Sequence, residues 1–269
     1  SKLPKSPLGR RVQSQLEEQG VETEVAWSDS TSYRQGLIFQ EAGVPPRESK
    51  DWHDRGNTAA ATAKPADFPM DQVQQAEIIF TGLGTAVLSQ QAAETTGALL
   101  RAASGGGAMT AVDLDYSEGL APPETYTGVL ETLAEEIDVL FADEESAREA
   151  LDRKGGPREL ANTIAAEYDL EIVVIRRSDR GAVALRDTPG TNIIHEREAI
   201  ETDTVDPTGE PGAFIGAFLE QLIEGSDTAR SLTYAVAAGT LSRTIPGPFL
   251  TTTPGELDSL ADEVVDKSK

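Results

Sequence analysis

The feature that most constrains this chain is a regular exchange of two hydrophobic periods after residue 70. Short apolar runs at 77–80, 109–114, 137–141 and 172–175 alternate with stretches at 88–102, 124–135, 144–151 and 158–168 that carry helical spacing. The run at 172–175 is the most β-branched of all and predicts a strand buried on both faces. Strands parted by roughly 10–20 helical residues imply βαβ crossovers. The expected class is therefore α/β, with a mainly parallel central sheet between layers of helices.

The flanks follow other patterns. Residues 22–27 and 36–41 alternate like strands with no helix between them, which predicts a small antiparallel flap within about residues 21–60. Residues 181–185 and 191–197 predict a local strand pair turning at 187–190. From Thr208 onward the pattern is helical, over 209–223, 226–241 and 255–265. Gly105, Gly106 and Gly107 read as a flexible turn before the strand at Met109. No internal repeat is visible, and residues 1–269 are read as a single domain bearing the flap.

Charge narrows the function. The chain holds 46 acidic and 23 basic residues, a net charge of −23. Such a surface repels nucleic acid and anionic membrane alike, so neither is an expected partner. The charges are spread among periodic apolar segments, unlike those of a disordered acidic tail. The expectation is a protein adapted to molar salt, which screens its self-repulsion. There is no cysteine, which excludes disulfides and thiolate chemistry, and His53 and His195 stand far apart, so no metal-ligating side chain is assigned. No apolar run approaches the roughly 20 residues of a membrane span, and the first residues lack a signal-peptide core. A cytoplasmic protein is expected.

The segment that carries chemistry runs from Asp203 to Leu219. A loop bearing Thr208 and Gly209 enters a helix with small residues at Ala213, Gly216 and Ala217. The unpaired N–H groups and dipole of a helix start attract an anion, although an ordinary loop-to-helix junction has the same appearance.

This segment resembles the second signature of the ribokinase-like (PfkB) carbohydrate kinases, Asp-Thr-x-Gly-Ala-Gly-Asp-x-Phe, with Asp206, Thr208, Gly209, Phe214, Gly216 and Phe218 in register. Residues 4–21 resemble the family's early Gly-Asp-Asp-x-Phe-Gly helix. Residues 36–41 and 55–61 resemble the lid of its 2-keto-3-deoxygluconate kinase branch. Asp113 and Asp115 stand where that branch has Asp-x-Asn, and residues 141–145 resemble the Asn-x-x-Glu region near magnesium. Residues 175–182 resemble the nucleotide-side Thr-x-Gly-x-x-Gly, and 231–247 the Ala-rich helix beside adenine. The resemblance implies the ribokinase-like fold with a β lid, transfer of the γ-phosphate of ATP to a sugar or sugar acid with Mg2+, and a possible homodimer through the lid. It places substrate-binding roles on Gly36, Arg55, Asp113 and Asp115, with Arg55 as the fork for a substrate carboxylate. It places nucleotide-binding roles on Asp143, Arg176, Gly181 and Ala238, and the phosphate-binding turn on Thr208, Gly209, Glu210 and Pro211.

The departures fall on the chemical positions. Gly212 stands where the family has the Asp that takes the hydroxyl proton, a loss that typically costs about 10²–10⁴-fold. Pro211 removes an N–H donor, and Glu210 adds a carboxylate that competes with phosphate. Asp143 and Ser146 replace the Asn and Glu near magnesium. The family's first strand and its Gly-Gly-x-x-x-Asn element have no counterpart before Ser1, so the expected sheet lacks a strand. Two expectations follow: a sugar-acid kinase, or a relative that binds ligand without transferring phosphate. The former requires Asp206, or a loop shift that brings Asp203 or Glu210 within reach, to act as the base.

Overall fold

The chain folds into two compact units, residues 1–110 with 114–136, and residues 111–113 with 137–269. The computed structural model describes residues 1–41, 43, 47 and 50–268. The parts of the expected flap at 42, 44–46, 48 and 49 lie outside the described residues.

In the first unit, β1 (Lys2–Pro4) leads into α1 (Pro7–Glu18), whose start is capped by the Ser6 hydroxyl accepting from the Gly9 N–H at 3.1 Å. β2 (Ala26–Ser28) pairs in parallel with β1. This corrects the expectation for 22–27: only its last two residues enter a strand, and their partner is the distant β1 rather than a hairpin neighbour. β3 (Leu37–Glu41) and β4 (Lys50–Asp54) do form an antiparallel pair, with Ile38, Phe39 and Trp52 exposed. Next come α2 (Met70–Gln75), β5 (Ile78–Gly82), α3 (Leu83–Ala86), α4 (Gln90–Gly106) and α5 (Pro123–Leu133). Fully buried Leu83, Leu100, Leu130 and Tyr126 form the centre of this unit.

The glycine triplet is a helix end, not a flexible turn. α4 continues through Gly106, where a Cβ would lie 1.9 Å from the Gln74 carbonyl oxygen, so glycine lets α4 and α2 touch backbone to backbone. Gly107 then ends the helix at φ +91°, in the left-handed region.

The second unit is built on β6 (Met109–Asp113, from Ala111), β7 (Val139–Asp143), β8 (Ile172–Arg176), β9 (Ala182–Thr188) and β10 (Thr191–Arg197). β6, β7 and β8 run parallel, and β9 and β10 add an antiparallel edge. All five residues of β8 are buried, as its β-branched run predicts. The β9–β10 strands extend to Thr188 and Thr191, narrowing the turn to Pro189 and Gly190. Helices α6 (Glu144–Ala150), α7 (Pro157–Tyr168), α8 (Glu210–Ile223), α9 (Thr228–Ser242) and α10 (Pro254–Lys267) flank the sheet. α7 packs on β8 and β9, while α9 packs on β9, β10 and α8. Phe141 of β7 meets Phe218 of α8 edge-to-face, with ring centroids 5.3 Å apart.

Candidate active site

In the second unit, three neighbouring parallel strands end in charged residues. Asp113 closes β6, Asp143 closes β7 and Arg176 closes β8, with Asp143 and Arg176 in register. The carboxyl ends of parallel strands are where α/β folds bind ligands. Arg176 Nη2 donates to Asp113 Oδ1 at 3.0 Å and Oδ2 at 3.1 Å, and Nε donates to Asp143 Oδ1 at 2.9 Å. Burial opposes the charge on Arg176, but the carboxylates of Asp113 and Asp143 outweigh it and hold the guanidinium above its ordinary pKa. The structure thus brings together Asp113, assigned to substrate from sequence, with Asp143 and Arg176, assigned to nucleotide. Glu144, buried at the start of α6, accepts from Arg148 at 2.5 Å and Arg180 at 2.8 Å.

The loop before α8 is moored at both ends. Val205 N–H donates to the Arg243 carbonyl at 2.8 Å. The Asp206 carboxylate accepts from Thr208 N–H and from Gly247 N–H, each at 2.9 Å. Its contacts with Thr208 and then the Gly247 N–H hold that carboxyl below its ordinary pKa. Asp206 thus ties the loop to the Thr208 and Gly247 backbone. Gly209 caps α8, and a Cβ there would lie 2.5 Å from Ser242 Oγ, so the tight entry requires glycine. Glu210 N–H is already bonded to the Pro207 carbonyl at 3.1 Å and Pro211 has no N–H, so the helix start offers fewer donors to an anion than such starts usually do.

Gly212 is exposed on the third helical residue, and a Cβ there would find nothing within 4 Å. Glu210 instead points inward. It is half-buried, its nearest cation is Arg243 Nε at 3.9 Å, and burial pushes its carboxyl above the ordinary pKa. Asp203 is exposed.

Beside this edge lies a cavity of about 500 Å³ lined by Arg177, Arg180, Arg243 and Lys267 together with Asp179, Glu198 and Glu201. Its size and mixed charge suit a polyanionic ligand with a polar body. Gly181, at the end of the 178–180 turn, takes φ +91°, and a Cβ would lie 2.0 Å from the Arg197 carbonyl oxygen. Its structural need for glycine is independent of any ligand. Ala238 is buried at 1% exposure within α9 and does not line that cavity.

The first unit carries the remaining assigned residues. Gly36 and Arg55 line a cavity of about 460 Å³ with Arg34, Gln35 and Thr58. Among the described residues, the only hydrogen bond of the Arg55 guanidinium is a 3.4 Å contact from Nη1 to the Gly84 carbonyl, so its fork is open. Arg34, by contrast, is bidentate to Asp54. Gln35 Oε1 and Thr58 Oγ1 are buried without a hydrogen-bond partner, as polar atoms awaiting a ligand would be. Asp115, at φ +41°, places Oδ2 2.4 Å from where a Cβ on Gly84 would stand, and its carbonyl accepts from the buried Tyr126 hydroxyl at 3.2 Å. Burial pushes the Tyr126 pKa up to about 12. Sequence reasoning missed Gln35, Thr58 and Arg243. Only the Arg243 charge within an Ala-rich helix end was a signal that could have found it.

The carboxylates of the second unit bond to arginines in this structure. Asp113, Asp143 and Glu144 are committed to guanidinium groups, and no cluster of three or more His, Asp or Glu side chains suited to a metal occurs among the described residues.

Parallel strands ending at a charged edge, and a glycine-tight loop entering α8, define a ribokinase-like α/β protein. The model of the pfkB family of carbohydrate kinases matches residues 1–253. A 2-dehydro-3-deoxygalactonokinase of Haloferax volcanii is 40% identical over 258 residues, covering 96% of this chain and 79% of that protein. The 2-dehydro-3-deoxygluconokinase structure of Thermotoga maritima superposes with a TM-score of 0.83 at 26% identity, covering 97% of this chain and 82% of that one. A putative ribokinase II of E. coli, solved with ATP and Mg2+, shares the fold at a TM-score of 0.80 and 18% identity, covering 98% of this chain and 82% of that one. This chain belongs to the pfkB family of carbohydrate kinases, in the branch of the 2-dehydro-3-deoxy sugar kinases. Among the described residues, no helix is long and apolar enough to cross a membrane.

Proposed function

We propose that this chain is an ATP-dependent kinase of a 2-keto-3-deoxy sugar acid. The observation that carries the reading is the 40% identity with a 2-dehydro-3-deoxygalactonokinase across 96% of the chain. The open guanidinium fork of Arg55 supports it, since a sugar acid presents a carboxylate that such a fork binds with two parallel hydrogen bonds. Gln35 and Thr58 add unpartnered polar atoms for sugar hydroxyls. In the second unit, Arg177, Arg180 and Lys267 would hold the nucleotide. In the transfer, a substrate hydroxyl oxygen bonds to the γ-phosphorus, the bond to the bridging oxygen breaks to release ADP, and the hydroxyl proton must leave. Thr208, Gly209, Glu210 and Pro211 form the turn assigned to the phosphate. The acidic surface, the cytoplasmic site and a homodimer through the exposed β3–β4 face belong to the same reading.

One observation favours a second reading, in which binding remains and transfer is disabled: Gly212 offers no group to accept the proton, and Glu210 faces Arg243 instead of replacing it. ADP release from ATP with 2-keto-3-deoxygalactonate or 2-keto-3-deoxygluconate, in molar KCl, decides between them. Turnover within the usual range of about 1–100 s⁻¹ supports the kinase. Background turnover with both acids refutes it and leaves the binding protein.

A further inference from the structure

The fold leaves two oxygens unused on the wall of the cavity in the first unit. Thr58 is 3% exposed and its Oγ1 is buried without a hydrogen-bond partner, as is Gln35 Oε1. Both residues line the cavity of about 460 Å³ that also holds the open fork of Arg55. The backbone ties their segments together: Arg34 N–H donates to the Asn57 carbonyl at 3.0 Å, and Ala59 N–H donates to the Arg34 carbonyl at 3.1 Å. Gln35 Nε2 donates to the Gly36 carbonyl at 3.4 Å, so the acceptor end of its amide is the one left over. A Cβ on Gly36 would stand 3.3 Å from the Thr58 methyl and 3.4 Å from Arg55 Cγ, so glycine there sets Arg55 and Thr58 side by side on the wall. A buried oxygen without a partner is costly. Two of them next to an open guanidinium call for a ligand with a hydroxyl close to a carboxylate.

We propose that Thr58 and Gln35 are specificity-determining residues that read the configuration of the C4 hydroxyl of the sugar acid. This rests on the proposed function, with a sugar acid as the ligand of this cavity. In a 2-keto-3-deoxy acid C2 is a ketone and C3 a methylene, so the C4 hydroxyl is the first beyond the carboxylate that Arg55 binds. Its configuration is also what distinguishes 2-keto-3-deoxygalactonate from 2-keto-3-deoxygluconate. In one configuration it donates to Gln35 Oε1 and accepts from the Thr58 hydroxyl. In the other it turns away, and both buried oxygens stay unpaired. A site built to pair with one hydroxyl rejects an analogue that leaves its polar groups bare. Lys2 and Arg34, the other side-chain cations lining the cavity, are paired with Asp67 and Asp54, which leaves Arg55 as the anchor for the carboxylate.

Calorimetric titration of the full chain with each acid in molar KCl tests this, and it reads binding whether or not phosphate is transferred. One acid should bind at least about tenfold more tightly than the other. Thr58→Val and Gln35→Met should bring the two within about threefold of each other, by weakening the favoured acid. Each variant should melt at or above the parent, because it removes an unpaired buried oxygen. Arg55→Met should instead weaken both acids in the same proportion. Binding of neither acid by the parent overturns the sugar-acid reading, and the proposal with it. Parent affinities within about threefold of each other overturn the proposal alone. So does a Thr58 or Gln35 variant that leaves the discrimination unchanged or melts below the parent, since either result marks a structural role.

Discussion

Replacing Gly212 by Asp should raise phosphoryl transfer by about 10²–10⁴-fold, the usual contribution of a positioned general base. That corresponds to a barrier lower by about 3–5 kcal/mol. The structure sets the cost of the change close to zero or below it. The residue is exposed, its φ is not in the left-handed region, and a Cβ meets nothing within 4 Å. Glycine within a helix is about 0.5–1 kcal/mol worse than alanine, a carboxylate in the first turn gains about 0.3–1 kcal/mol from the dipole, and aspartate's own weaker propensity returns part of the sum. Glu210 is two residues away and does not face the new side chain on the helix surface. The variant should therefore melt at or slightly above the parent, and ADP release with ATP and 2-keto-3-deoxygalactonate should rise. Gly212→Asn supplies nearly the same shape without a base and should stay at the parental rate. A folded Asp variant with turnover within about threefold of the parent, or an Asn variant that gains equally, would refute the assignment of position 212.

Gly181→Ala combines a positive φ with a Cβ 2.0 Å from the Arg197 carbonyl oxygen and should cost about 3 kcal/mol in denaturant titration. Gly190→Ala has φ +89° but open surroundings and should cost only about 1–2 kcal/mol; equal losses would contradict the contact. Asp206 has its carboxyl held below the ordinary value of 3.8, so the stability it confers is present above pH 3.8 and disappears as pH falls through its folded value. The difference in denaturation midpoint between the parent and Asp206→Asn should accordingly be constant above about pH 5 and shrink below pH 3.8, and a pH-independent difference would remove the linkage. The net charge of −23 should make the unfolding midpoint rise between 0.1 M and 2 M KCl, as screening shortens from about 10 Å to below 3 Å, and a flat response would sink the molar-salt reading.

The elements whose contacts are fixed by their own period were readable before the structure. β8 is buried along its whole length because a β-branched run of that kind has no polar face to expose. The misreadings share a physical cause, a partner distant in sequence. Gly105 and Gly106 have the composition of a turn yet stay helical, and at Gly106 α2 approaches so closely that only glycine leaves room for the Gln74 carbonyl. The piece at 22–27 alternates like a hairpin strand, but β2 finds its edge on β1, about two dozen residues earlier. The site divides in the same way. Gly212, Glu210 and Pro211 are local departures from a motif and could be read directly. The joining of Asp113 to Arg176 spans three strands, and Arg243 gains its meaning only from Glu210 on a different helix.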